Sequence, residues 1–226
     1  PRPDGRRTGR RKGVGGAVGA GPPPTPWPRP RFGPVDMYVA NAGIGGRPGL
    51  SATDADWDVA LNVNVLAHVR AARRLVPEWV ERGGGYFVST ASAAGLLTQI
   101  GSAIYSTTKH AAVAFSEWLS VTYGDAGVKV SCLCPMGVDT ALLRPTTEPD
   151  DPDALLMQRA VETAGRVLTP DECAEVVLAA IADEYFLILP HPEVLEMYRN
   201  KGADYDRWLR GMRRYQHTLR GQLADA

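Results

Sequence analysis

The sequence predicts an α/β fold built on a parallel β-sheet. Two observations predict it. Short apolar runs alternate with helical stretches of 14 to 28 residues, the pattern of successive βαβ units. The third of these runs, Val128 to Pro135, has no polar alternation apart from Ser131, as expected of a strand covered on both faces. In chain order, Val35 to Ala40 reads as the first strand, closed by Asn41-Ala42-Gly43. Thr53 caps a helix with an acidic first turn (Asp54, Asp56), and this helix runs to about Glu81 before Gly83-Gly84-Gly85 stops it. Its apolar stripe includes Trp57, Leu61, Val65 and Val69. Tyr86 to Ser89 is the second strand, and a loop of small residues follows from Thr90 to Ser102. Ala103 to Tyr123 carries few charges and reads as a helix buried on several faces.

After the third strand, residues 138–168 read as irregular, with prolines at 145, 149 and 152. Thr169-Pro170-Asp171-Glu172 starts a helix that runs to Ala182: a cap, proline in the first turn, then acids. Phe186 to Leu189 is the fourth strand. Residues 192–221 read as amphipathic helix in two pieces broken near Gly202.

The 226 residues hold 25 basic and 25 acidic side chains, a net charge of zero. The charge is unevenly spread. Residues 1–35 carry eight basic side chains and one acid, a balance of +7 that leaves −7 for residues 36–226. The same 35 residues hold 8 of the 24 glycines and 9 of the 18 prolines. Residues 1–34 show no helical or strand period and bury too little to offset their ordering entropy, so this segment is expected to be disordered and residues 35–226 to form the folded domain. The absence of an 18-residue apolar stretch argues against a membrane span. The N-terminus lacks the apolar core of a secretory leader. Cys132, Cys134 and Cys173 cannot form a disulfide framework, and Cys-x-Cys alone is a poor metal site, so buried reduced thiols and a cytoplasmic location are expected, with no metal. Neutral overall charge makes nucleic-acid binding unlikely as a main function, the basic arm being its one support.

The residues with chemistry fall where strands end. Tyr105 and Lys109 stand four apart on one helix and so share a face. An ammonium beside a phenol lowers its pKa from about 10 and fits it for acid–base work. Ser92 lies just past the second strand, at the sheet end where ligands of open parallel sheets bind, and can donate to a carbonyl oxygen. Asn64 sits in mid-helix beside Asn62 and His68, and a solvated face would account for all three. Asn41-Ala42-Gly43 and Pro135-Met136-Gly137-Val138-Asp139-Thr140 close the first and third strands. His110 and His191 read as structural, and His217 as exposed on a charged helix.

Taken in this order, the residues from about Val35 to Leu189 resemble the short-chain dehydrogenase/reductase family. The likeness rests on Asn41-Ala42-Gly43, Asn64, Ser92, Tyr-x-x-x-Lys at 105–109 and Pro135 to Thr140. It implies a Rossmann-like doubly wound parallel sheet and reversible hydride transfer between NAD or NADP and an alcohol/ketone pair. It implies Tyr105 as proton donor and acceptor. Lys109 would depress the pKa of Tyr105 and hold the nicotinamide ribose. Ser92 would polarise the substrate carbonyl, and Asn64 would keep a relay water behind Lys109. Asn41, Ala42 and Gly43 would support the cofactor's adenosine side, and Pro135, Gly137, Val138 and Thr140 would border the nicotinamide. Met136 stands where the family usually has glycine. A homodimer or homotetramer is implied, with the 53–81 and 103–123 helices and Trp118 in a four-helix contact. Leu96, Leu97, Leu142, Leu143, Leu155, Leu156 and Met157 suggest an apolar substrate pocket, or plain packing.

The family's opening strand, Thr-Gly-x-x-x-Gly-x-Gly and helix are the part that departs. Thr8-Gly9-Arg10-Arg11-Lys12-Gly13-Val14-Gly15 has the letters, but no apolar strand precedes it and glycines follow it where a helix should start. The first strands are therefore expected to be missing, through a truncation or a misread N-terminal frame, with the 35–40 strand left as an exposed edge and cofactor binding weakened. The alternative function is a catalytically silent relative that acts through protein contacts.

Overall fold

The computed structural model describes residues 33–143 and 151–225. The segment expected to be disordered, with Thr8 to Gly15 inside it, lies outside the described residues up to residue 32. Residues from Val35 form one compact unit. Its elements are β1 (Met37–Ala40), α1 (Asp54–Leu61), α2 (Ala67–Glu81), β2 (Gly85–Thr90), α3 (Ala94–Leu97), α4 (Ala103–Tyr123), β3 (Val128–Leu133), α5 (Pro152–Ala164), α6 (Pro170–Ala182), β4 (Leu187–Ile188), α7 (Glu193–Ala203) and α8 (Tyr205–Ala224). All strand pairs are parallel, in the order β1-β2-β3-β4. Among the described residues β1 and β4 are the outer strands, and Met37 and Val39 of β1 are about half exposed.

Local chemistry sets the ends of the helices. Thr53 Oγ1 accepts from Asp56 N, and the Asp56 carboxylate accepts from Thr53 N at 2.8 Å, a reciprocal cap on α1. Thr169 and Glu172 build the same box on α6, with Pro170 in its first turn. The 53–81 helix is not regular throughout. Asn62–Leu66 is a π-helical segment, in which Ala67 N reaches back to Asn62 O. The expected inward stripe is also displaced. Trp57, Leu61, Val65 and Val69 are half-buried, and the fully inward positions are Ala60, Asn64, His68, Ala71, Ala72, Leu75, Val76 and Trp79. A solvated face therefore holds for Asn62 and fails for Asn64 and His68.

Two other expectations change. The loop from Thr90 to Ser102 contains the single turn α3. The stretch 138–168 is not irregular throughout, because α5 occupies 152–164. Asp151 Oδ1 accepts from Asp153 N at 2.8 Å and Ala154 N at 3.0 Å, with Pro152 in the first turn. This is the same cap, proline and acid order that marks α6. Leu156 then packs on Leu219 of α8.

The core lies between the sheet and α2 and α4. Trp79, Leu75, Phe87, Leu119 and Val130 form its centre. The Trp79 indole N–H donates to Val35 O at 2.7 Å, tying α2 to the start of β1. Gly85 leaves room for that indole: a Cβ there would lie 2.1 Å from the ring. A second cluster joins Leu96, Leu97, Cys132, Cys134 and Val194, so both leucines of α3 are packing residues. The three cysteines are buried free thiols. Among the described residues no helix is long and apolar enough to cross a membrane, and no cluster of three or more metal-ligating side chains occurs.

Candidate active site

The carboxyl end of β2 organises the site. The Lys109 ammonium, 2% exposed, reaches from α4 to donate to Thr90 O at 3.0 Å. Thr90 Oγ1 donates to Asn41 Oδ1 at 3.0 Å, so one residue ties Lys109 to the end of β1. Gly43 completes this contact. A Cβ at residue 43 would lie 3.3 Å from Lys109 Nζ and 3.5 Å from Asn64 Oδ1, so both groups converge on the missing side chain.

Asn64 is fully buried. Its Oδ1 accepts from Ile44 N at 2.9 Å, and its Nδ2 donates to Ile44 O at 2.9 Å and to Thr108 Oγ1 at 3.0 Å. A helical asparagine thus clamps the loop after β1 on both sides of one residue. The clamp sits in the π-helical segment, a distortion common at functional sites.

Ser92 follows β2 and is buried. Its Oγ accepts from Ala94 N at 3.1 Å and donates to Pro135 O at 3.4 Å. Ala93 N also donates to Pro135 O, at 2.8 Å. Ser102 caps α4 by accepting from Tyr105 N at 3.2 Å. One turn on, Lys109 Nζ lies 5.5 Å from the centroid of the Tyr105 ring.

Electrostatics correct one expectation. The Tyr105 phenol is raised above its ordinary value, chiefly by burial, with the Ser92 hydroxyl drawing it down and Cys134 pushing it up. The Lys109 cation is directed to Thr90 O and the face of the ring, and burial prevails over it at the hydroxyl. Lys109 itself is lowered to about 8 by burial, with the Cys132 and Cys134 thiols acting in the opposite direction.

The remaining candidates divide. Pro135 meets Ser92. Gly137 is packed tightly, since a Cβ there would lie 3.1 Å from Val161 and from Val167. Val138 pairs with Leu168 and is half-buried, while Thr140 is exposed. His191 fixes this segment from behind. Its Nδ1 accepts from Met136 N at 3.1 Å and its Nε2–H donates to Arg166 O at 2.9 Å, which makes it structural. Of the apolar candidates, Leu156 belongs to the core, whereas Leu142 is exposed and lies over Gly45 beside the β1 loop.

Thr90, Thr108, Cys134 and His68 are site residues that sequence reasoning missed. Thr108 adjoins Lys109 in sequence, which is the one signal that could have found it. His68 gave no such signal. Its Nδ1 bonds Ser89 Oγ at 3.0 Å and its Nε2 is buried without a partner. Burial first, then the Lys109 charge, lowers its pKa to about 4. Between pH 6.5 and 4 the unfolded chain takes up a proton that folded His68 refuses. Stability is therefore complete above pH 6.5 and falls on acidification, by up to about 3 kcal/mol from this residue. His68→Gln is expected to flatten that part of the profile in urea unfolding at pH 7 and pH 4.5. Equal slopes in wild type and variant would remove His68 as the cause.

The chain is similar to known proteins. A model of the short chain dehydrogenase family matches residues 28–151. An uncharacterised NAD-dependent oxidoreductase of Mycobacterium tuberculosis is 32% identical over 168 residues, covering 68% of this chain and 58% of the relative. The 1-deoxy-11-beta-hydroxypentalenate dehydrogenase of Streptomyces avermitilis is 30% identical over 167 residues, covering 72% of this chain and 58% of the relative. The chain thus spans 58% of the length of these two relatives. A crystal structure of a short-chain dehydrogenase/reductase from Burkholderia phymatum in complex with NAD superposes with a TM-score of 0.68 at 31% identity, over 77% of this chain and 68% of that one.

Proposed function

Since the chain belongs to the short-chain dehydrogenase/reductase family, we propose that it interconverts an alcohol and a ketone with NAD or NADP, using Tyr105 as the general acid and base. The observation that carries the reading is the meeting of Ser92, Tyr105 and Lys109 at the carboxyl end of β2, with Gly43 and Asn64 closing on the ammonium. These residues suit the nicotinamide half of the cofactor. Lys109 spends one of its three donors on Thr90 O and keeps the others for ribose hydroxyls, and the absent Cβ of Gly43 leaves that approach open. The cofactor, when bound, supplies or accepts the hydride.

The protein supplies position and a proton. Ser92 Oγ directs the carbonyl oxygen of the ketone toward Tyr105. The raised phenol is protonated at neutral pH, so it would donate its proton to that oxygen in ketone reduction. Lys109 beside the ring steadies the phenolate that results. Both Nδ2 hydrogens of Asn64 are spent on Ile44 and Thr108, so Asn64 holds a relay water through its remaining oxygen lone pair or its backbone. Pro135, Gly137, Val138 and Thr140 would border the nicotinamide, and Asn41 and Ala42 would support the adenosine side. Leu142 points to an apolar substrate. Exposed Val59, Leu66, Trp118 and Val121 on α1, π segment and α4 suit an apolar contact between two copies, as a homodimer or half of a homotetramer. A cytoplasmic enzyme fits the three free thiols.

The test incubates the full chain with NADH or NADPH and a series of apolar ketones. The expected result is one alcohol formed for each cofactor oxidised. Protein that binds the cofactor yet forms no alcohol with any of them would favour the catalytically silent reading.

A further inference from the structure

A cleft of about 250 Å³ opens on the far side of α4, walled by α3, α7 and the start of α8. Its lining includes Leu96, Val113, Glu117, Tyr198, Lys201 and Tyr205. None of these belongs to the catalytic constellation. Lys201 is the unusual member, because it is only 5% exposed. Buried lysines are rare unless paired. Its Nζ donates to Leu96 O at 2.6 Å and lies 5.3 Å from the centroid of the Tyr205 ring. No carboxylate among the described residues pairs with it. An ammonium has three donors, and a neutral carbonyl with an aromatic face satisfies neither all of them nor the charge.

We propose that this cleft binds a small monocarboxylate with a flat apolar body, its carboxylate on Lys201 Nζ. Several features select that class. Leu96 and Val113 supply an apolar floor, and Tyr198 and Tyr205 supply aromatic faces at the mouth. The volume admits a single-ring molecule and excludes a nucleotide or a folded segment of a partner. Glu117 stands exposed on the same rim. Its negative charge repels a dianion such as phosphate more than a monoanion, and one lysine is a point charge without the fork that grips phosphate. The charge-assisted hydrogen bond supplies the recognition, and Glu117 weakens it.

Benzoate serves as the probe, followed by amide shifts of the ¹⁵N-labelled full chain. Saturable shifts on α3 and α7 are expected with benzoate and not with benzamide, which has the same ring without the charge. Glu117→Gln, a surface change with little risk to folding, is expected to tighten binding severalfold. Lys201→Met is expected to weaken it about tenfold or more, the worth of one charged hydrogen bond. Absence of saturation with benzoate, equal binding of benzamide, or unchanged or weaker affinity in Glu117→Gln would each overturn the proposal, whether or not Lys201→Met folds.

Discussion

Tyr105→Phe is expected to lower turnover by about 10²–10⁴-fold, the usual worth of a positioned general acid. The substitution removes one oxygen and leaves the ring, which keeps its place beside Lys109 Nζ, 5.5 Å from the centroid. The backbone of Tyr105 is held separately, by the Ser102 cap on α4. Folding and cofactor affinity are therefore expected to survive, and the loss should fall on kcat. The pH dependence has a definite sign. Because burial raises the phenol, Tyr105 stays protonated through neutrality. Ketone reduction should then hold level through neutral pH and decline only in alkali, whereas alcohol oxidation should rise with pH as the phenolate forms. Steady-state rates in both directions, with cofactor affinity measured by fluorescence titration, check this. Full turnover in the variant would remove Tyr105 from the mechanism.

Lys109→Met is expected to change stability as well as activity. Folding takes the ammonium out of water, and its pKa falls from 10.5 to about 8. Below pH 8 both folded and unfolded chains carry the proton, and the folded chain bears the full cost of the buried charge. Between pH 8 and 10.5 the unfolded chain binds more protons, so stability rises with pH, by about 3 kcal/mol for this one residue. The methionine variant lacks that increment. At pH 7 it gains from losing the charge and gives back about 1–3 kcal/mol by leaving Thr90 O without its donor. Urea unfolding of wild type and variant at pH 7 and pH 10 separates the two effects, because the Thr90 loss is the same at both. A pH increment equal in the two proteins would show that Lys109 is not desolvated. The variant should also lose turnover, since the cation beside the Tyr105 ring and the contact with Thr90 disappear together.

Much of this site was legible because strand ends are legible. Ser92, Asn41 to Gly43 and Pro135 follow short apolar runs, and Tyr105 and Lys109, four apart on one helix, gain their meaning from the joint order of these residues and its family resemblance. The α4 boundaries at Ala103 and Tyr123 came from a long stretch with few charges after a small-residue loop, and the Ser102 cap appears only in the structure. The two-piece C-terminal helix was equally readable, although Asp204 rather than Gly202 marks its break. The π-helical segment was not legible, because its cause is tertiary. Asn64 bonds Ile44 twenty residues back and Thr108 forty-four residues on. The direction of the Tyr105 shift was hidden for a similar reason. Spacing places Lys109 beside the ring, but only the fold reveals that desolvation raises the half-buried phenol and where the ammonium points. The α5 helix is a different kind of miss. Asp151-Pro152-Asp153 was present, and Pro152 was read together with Pro145 and Pro149 as a mark of irregular chain.

The π-helical segment at Asn62–Leu66 also divides one long helix into two phases. An extra residue in a turn rotates everything beyond it by about 100° relative to an unbroken α-helix. Upstream, the phase is set by the Thr53–Asp56 cap; downstream, it is set by Leu75, Val76 and Trp79 against the sheet. The segment marks the boundary between the two phases, and Asn64 pins it to the β1 loop and to α4. An inserted or deleted residue in α2 turns Trp79 away from the sheet and breaks its bond to Val35 O.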